Sequence, residues 1–296
     1  MLAEVQSSAL IALAAAASWG GGDFCGGMGV KAAGGSTASA LRFVVLAHTI
    51  SLLVLLGVIL AMHEGQALGA PALWALAGGV AGGLGLVAFY MALSRGGMGA
   101  SAAVSGLLAA AVPAGVAVVL EGVPGTLTLA GFALAAAAIW LIAAGVSPES
   151  TGESRQTMGL AIFGGVAFGF YFVALKLANP LGVVVPMALA RAGSVVTLLP
   201  LLAVLGRMNG KETSQRSGRW LLGLTWALGV ALLDTGGNML FVAATRLGRM
   251  DVAAVLASLY PAATILLAAW WLHERPTRRQ MAGMAVALAA VVMITV

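Results

Sequence analysis

Charge is what this chain lacks most. Only 8% of its 296 residues are charged, 10 acidic and 15 basic, whereas a soluble domain carries about 25%. Apolar residues make up 61% and the mean hydropathy is +1.03. So little polar surface cannot cover a water-soluble globule of this length, and lipid is the solvent that fits. Cysteine is limited to Cys25, which excludes an intrachain disulfide and a cysteine-based metal cluster. Neither His48 nor His63 has a second His or Cys at ligand spacing. His48 is kept as a candidate proton relay, because imidazole ordinarily titrates near neutrality. No P-loop lysine motif is present, which excludes an ATP-driven pump subunit, and neither G-x-S-x-G nor H-E-x-x-H occurs. No nucleophile and base cluster within the apolar runs, so neither an enzyme nor a cofactor is expected. The net charge of +5 comes from basic residues scattered through short loops, where membrane proteins place them for topological reasons. No basic stripe with interleaved aromatics appears, so nucleic acid is not an expected partner. The first apolar run has no basic flank, and a retained first helix is expected rather than a cleaved signal.

What the chain has instead is long apolar runs. About 20 residues cross a hydrocarbon core, and the sequence offers ten such runs, near residues 7–30, 40–62, 71–94, 100–120, 127–146, 158–178, 184–206, 220–245, 252–272 and 281–296. The expected fold is therefore an all-α integral membrane protein. Its 41 glycines have a packing role, since helices in lipid associate through close backbone approach. Gly78, Gly79, Gly82, Gly83 and Gly85 mark one tightly packed span.

The polar stretch Ser147–Thr157, SPESTGESRQT, follows the fifth run and separates two halves that resemble each other. In the first, Arg95-Gly96-Gly97-Met98 precedes Ala102-Ala103-Val104 and then Glu121. In the second, Arg246-Leu247-Gly248-Arg249-Met250 precedes Ala253-Ala254-Val255 and then Glu274. A proline follows each glutamate, Pro124 and Pro276. The expected division is a first repeat over 1–147, a linker over 148–157 and a second repeat over 158–296. Five spans per half is an odd number, so the halves insert with opposite orientation, the inverted-repeat plan of secondary transporters.

The second half carries a family resemblance. Phe241 to Met250, then Val252-Ala253-Ala254-Val255 through Tyr260-Pro261, then Leu272-His273-Glu274-Arg275-Pro276 resemble the ten-helix members of the drug/metabolite transporter superfamily with two EamA-type repeats. His273 stands where that family often has glycine. The resemblance implies a basket of helices around a central cavity, alternating access and a small-molecule substrate. Amino-acid or related metabolite export from a bacterial inner membrane is the leading expectation, and multidrug or organic-cation efflux the alternative. Protons are the candidate coupling ion, and a monomer or weak homodimer is expected.

Charged groups at membrane depth cost a few kcal/mol or more and mark function. Asp234 lies inside the eighth run, and Asn238, four residues on, shares its helix face. Together they offer a carboxylate and an amide to an ammonium group or a proton; the alternative is an Asp that locks helix packing. Asp23 sits in Trp19-Gly20-Gly21-Gly22-Asp23, read either as an irregular segment lining a cavity or as an interfacial site. Arg42 and Arg191 hold similar places in the two halves. Arg42 reads as snorkelling to headgroups, and the deeper Arg191 as a planar fork for a carboxylate. Lys176 ends its helix and reads as topological, with a gate role as the alternative. Among the few aromatics, Trp19, Tyr90, Tyr171, Trp226 and Tyr260 lie within runs, and a buried tyrosine hydroxyl needs a partner. Trp19, Tyr90, Tyr171 and Tyr260 are taken as candidate cavity walls. Trp74, Trp220, Trp270 and Trp271 read as interfacial anchors. Eleven of the 15 basic residues fall on odd-numbered loops and their helix ends, which places the termini outside; the family resemblance implies the reverse.

Overall fold

Short local signals fix where the chain turns. The computed structural model describes residues 2–62, 68–95, 98–143, 151–208, 220–271, 273 and 275–295, and these contain no strand. Helix α1 spans Leu2–Ala32. It ends in a pair of reverse bonds, Gly35 N–H to Val30 O at 2.9 Å and Gly34 N–H to Lys31 O at 3.1 Å. Gly34 sits at φ 102°, the left-handed conformation that this kind of helix stop requires and that glycine adopts without strain. Ser36 then caps α2 (Thr37–Met62), its Oγ accepting from Ser39 N–H at 3.1 Å.

Helices α3 (Ala70–Ser94), α4 (Met98–Glu121) and α5 (Thr126–Ala143) complete the first half. The second half holds α6 (Thr151–Leu177), a 3₁₀ turn at Asn179–Leu181, α7 (Val184–Met208), α8 (Trp220–Leu247), α9 (Met250–Ala257), α10 (Tyr260–Trp271) and α11 (Arg278–Thr295). Before α11, Thr277 and Gln280 cap each other: Gln280 N–H donates to Thr277 Oγ1 at 3.2 Å and Thr277 N–H to Gln280 Oε1 at 2.8 Å. This reciprocal box satisfies two donors that would otherwise lack partners. The expected linker over 148–157 lies partly outside the described residues, and from Thr151 the chain is already helical.

Eight spans are long and apolar enough to cross a membrane, α9 and α10 counting together as Met250–Trp271. The 31-residue α1 and the shorter apolar α5 bring the bundle to the expected ten. Exposed Leu60, Leu73, Val119, Val196 and Leu232 stud its outer surface, as a lipid-facing surface demands.

Of the two readings of the stretch around Asp23, the irregular segment is not there: α1 runs unbroken through its glycines. The break falls instead at Ser258 and Leu259, between α9 and α10. Pro261 explains it, because its ring has no N–H to donate and clashes with the carbonyl four residues earlier. The glycines of α1 serve packing. A Cβ on Gly20 would meet Tyr260 O at 2.8 Å, one on Gly22 would meet Asp234 N at 3.3 Å, and Gly26 lies against the Tyr90 ring.

Helix pairing has a two-fold pattern. Helix α1 packs on α8 and α3 on α6; α4 packs on α6, and α1 on α9 and α10. Each pair maps onto the other when every span of the first half is exchanged with its counterpart in the second. Contacts of α2 with α7 and of α5 with α11 map onto themselves. The cavity described next lies along this junction.

Candidate functional site

Seven helices contribute side chains to a central cavity of about 500 Å³, its opening to solvent included. Its floor is made by close approach. Gly79 lies against the Ala190 backbone and Gly83 against Ser194 Oγ, while a Cβ on Gly82 would meet the Tyr171 ring at 3.1 Å. These α3 glycines let α6 and α7 bring Tyr171, Arg191 and Ser194 to the same space.

The polar centre is Arg191, 3% exposed. Its Nη2 donates to Asp234 Oδ2 at 2.6 Å and to Thr235 Oγ1 at 3.0 Å, and its Nη1 to His48 Nε2 at 2.8 Å. Arginine has no acceptor, so His48 Nε2 carries no proton. His48 is therefore the neutral tautomer, with Nδ1–H donating to Ser194 Oγ at 2.6 Å. The chain of bonds continues from Thr235 Oγ1 to Ser51 Oγ at 2.8 Å and from Ser51 Oγ to Ala231 O at 3.1 Å. Asn238 Nδ2 donates to Asp234 Oδ1 at 3.1 Å and to Asp234 O at 2.7 Å. Both oxygens of Asp234 are thus taken, and α2, α7 and α8 are laced together.

Of the residues singled out from sequence, Trp19, Asp23, Tyr171, Arg191, Asp234, Asn238 and Tyr260 all line the cavity. Tyr90 does not; it is fully buried, with its ring against Gly26 and 6.3 Å from that of Phe43. Trp19 stacks on Phe172 at 4.9 Å and 9°, and the Tyr260 ring stands edge-on to it at 6.4 Å. Arg191 reaches a carboxylate within the chain, through one Nη2–Oδ2 bond to Asp234 rather than a two-pronged fork. Arg42 is exposed, as are Trp74, Trp270 and Trp271, the described anchors. The side chain of Trp220 lies outside the described residues, as does His63. Trp226 packs edge-on to Phe24 and Trp271.

Sequence reasoning undervalued His48 and passed over Thr235, Ser194 and Ser51. The available signal was a polar side chain in an apolar run that needs a bonding partner.

A second polar cluster ties helix ends together. Glu121, at the end of α4, pairs with Lys176 at 3.0 Å and accepts from Met250 N–H at 2.9 Å. Lys176 Nζ also donates to Thr245 O at 2.8 Å. Arg249 pairs with Asp251 at 2.8 Å and donates to Glu121 O and Gly122 O. Hydrogen bonding to Asp251 raises the pKa of Arg249 above its ordinary value. Arg246 donates to Asn179 O. The counterpart glutamate of the second half, Glu274, lies outside the described residues.

A helical membrane bundle with a polar cavity between two like-built halves has the plan of a membrane transporter. The comparisons agree. The profile of the EamA-like transporter family matches residues 147–296, and the chain belongs to that family. A solved structure titled "Crystal structure of protein" superimposes with a TM-score of 0.70 at 17% identity, over 98% of both chains, so the fold extends over the whole sequence. No curated protein matches.

Proposed function

We propose that this chain is a secondary transporter of a bacterial inner membrane that exports amino acids or related small metabolites by alternating access, with the central cavity as its binding site. The observation that carries this reading is the cavity itself. It joins two carboxylates, a guanidinium and aromatic walls at the junction of the two halves, where rocking of one half against the other changes access. The Glu121–Lys176–Arg249 cluster supports alternating access, because it binds together the ends of α4, α6 and α8 and the start of α9. Proton coupling at Asp234 or Asp23 belongs to the proposal.

One observation favours a second reading. The cavity has two acidic side chains against one guanidinium, and acidic groups beside aromatic rings suit efflux of organic cations. Counterflow in proteoliposomes loaded with amino acids, sugars or quaternary amines separates the two, with Asp234→Asn run alongside. Exchange of amino acids that Asp234→Asn abolishes supports metabolite export. Exchange of quaternary amines alone assigns organic-cation efflux, and an Asp234→Asn variant that keeps its rate and pH dependence removes Asp234 from coupling.

A further inference from the structure

The two carboxylates of the cavity are not equivalent. Asp234 is held by Arg191 and Asn238, with one bond on each carboxylate oxygen. Asp23 is 8% exposed and lines the cavity, yet among the described residues it has no hydrogen-bond or ion-pair partner. A carboxylate removed from water takes up a proton unless a cation or a donor meets it. Among the described residues no cation meets it, since Arg191, which lines the cavity, is already committed to Asp234, Thr235 and His48.

The surroundings of Asp23 narrow what the missing partner is. Trp19 lies one helical turn earlier on the same face of α1, with its ring braced by Phe172 and Tyr260. Aromatic faces beside a carboxylate suit an ammonium group, which the ring quadrupole and the charge both attract. The opposite pole of the cavity is not offered to a ligand in the same way. Arg191 Nε is buried, covered by protein and without a partner, so the guanidinium does not present its bidentate edge to a ligand carboxylate.

We infer that Asp23, with Trp19 beside it, forms an amine subsite: the obligatory handle on the substrate is a single ammonium group, and a substrate carboxylate is dispensable. The inference rests on the transport reading and names its substrate class as small amines, with amino acids recognised through the amino group.

The test is binding to the purified full chain in detergent, followed by calorimetry and tryptophan fluorescence. The probes are phenylalanine amide, phenylalanine and N-acetylphenylalanine, which share a side chain and differ in charge. Phenylalanine amide is expected to bind at least as tightly as phenylalanine, and N-acetylphenylalanine at least tenfold more weakly. Asp23→Asn is expected to weaken the amide at least tenfold, and Asp23→Glu, which keeps the charge, to retain binding. Tight binding of N-acetylphenylalanine, or unchanged amide affinity in a monodisperse Asp23→Asn protein, overturns the subsite. The wild-type probe series decides the matter even if Asp23→Asn fails to fold. Absence of binding by both amines, together with counterflow of another solute, overturns the amine assignment and leaves the transport reading standing. Absence of counterflow by any solute, with amine binding intact, upholds the subsite and removes the transport reading.

Discussion

Replacing Arg191 by Met keeps the length and much of the volume of the side chain but deletes its charge and every donor. The structure sets the consequence. Asp234 Oδ2 loses a bond of 2.6 Å, and His48 Nε2 and Thr235 Oγ1 lose bonds of 2.8 Å and 3.0 Å. Both members of the pair are shielded, at 4% and 15% side-chain exposure, so water restores little. Breaking a buried pair by removing one partner costs about 3–5 kcal/mol, mostly as the penalty for the stranded charge, whereas replacing both partners by apolar groups is often neutral. Arg191→Met is therefore expected to destabilise by about 3–5 kcal/mol. Adding Asp234→Leu should recover most of that loss, although His48 and Thr235 still lack their donor. The assay is unfolding by SDS in mixed micelles, on the two single variants and the double, read as a double-mutant cycle. A double variant whose loss equals the sum of the singles would refute the reasoning, as would Arg191→Met with wild-type stability.

Thr277→Ala removes one half of the box that starts α11 and should cost about 1 kcal/mol, read as faster amide exchange in its first turn. Gly79→Val forces a side chain against the Ala190 backbone and should destabilise by about 1–3 kcal/mol in the same unfolding assay. Gly57→Ala, where nothing lies within 4 Å, serves as its control and should not destabilise. His273 holds φ 56°, so His273→Gly should leave stability within about 1 kcal/mol of wild type, while β-branched His273→Val falls further. Orientation is checked by reporter fusions. Each of the four basic residues off the odd side has an internal partner: Arg191 with Asp234, Lys176 with Glu121, Arg249 with Asp251 and Arg246 with Asn179 O. The eleven basic residues still outnumber these four, and alkaline phosphatase fused after Val296 is expected to be active. An inactive fusion with a fluorescent C-terminal GFP overturns that orientation.

The sequence by itself determined the solvent and the number of spans, and it pointed to seven of the sixteen residues that line the cavity. Those follow from counting: a chain with so few charges has to fold in lipid, and each charge left at membrane depth needs a reason that residue type alone reveals. It also carried the stop at Gly34, the cap at Ser36 and the box at Thr277, because such signals act over a few residues. The run over 252–272 was read as continuous, although Pro261 breaks it between α9 and α10, while the glycines near Asp23, readable as a loose segment, turned out to seat helix against helix. Partnership is what only the tertiary structure decided. Asp23 and Asp234 look alike as letters in apolar runs, yet one is locked to Arg191 and the other faces the cavity unpaired. His48 and Arg191 lie 143 residues apart on helices that meet only after the halves have docked. Hydrogen bonds act over about 3 Å, a distance that spacing along the chain does not encode, so the division between a locking carboxylate and an open one appears only once the helices are packed.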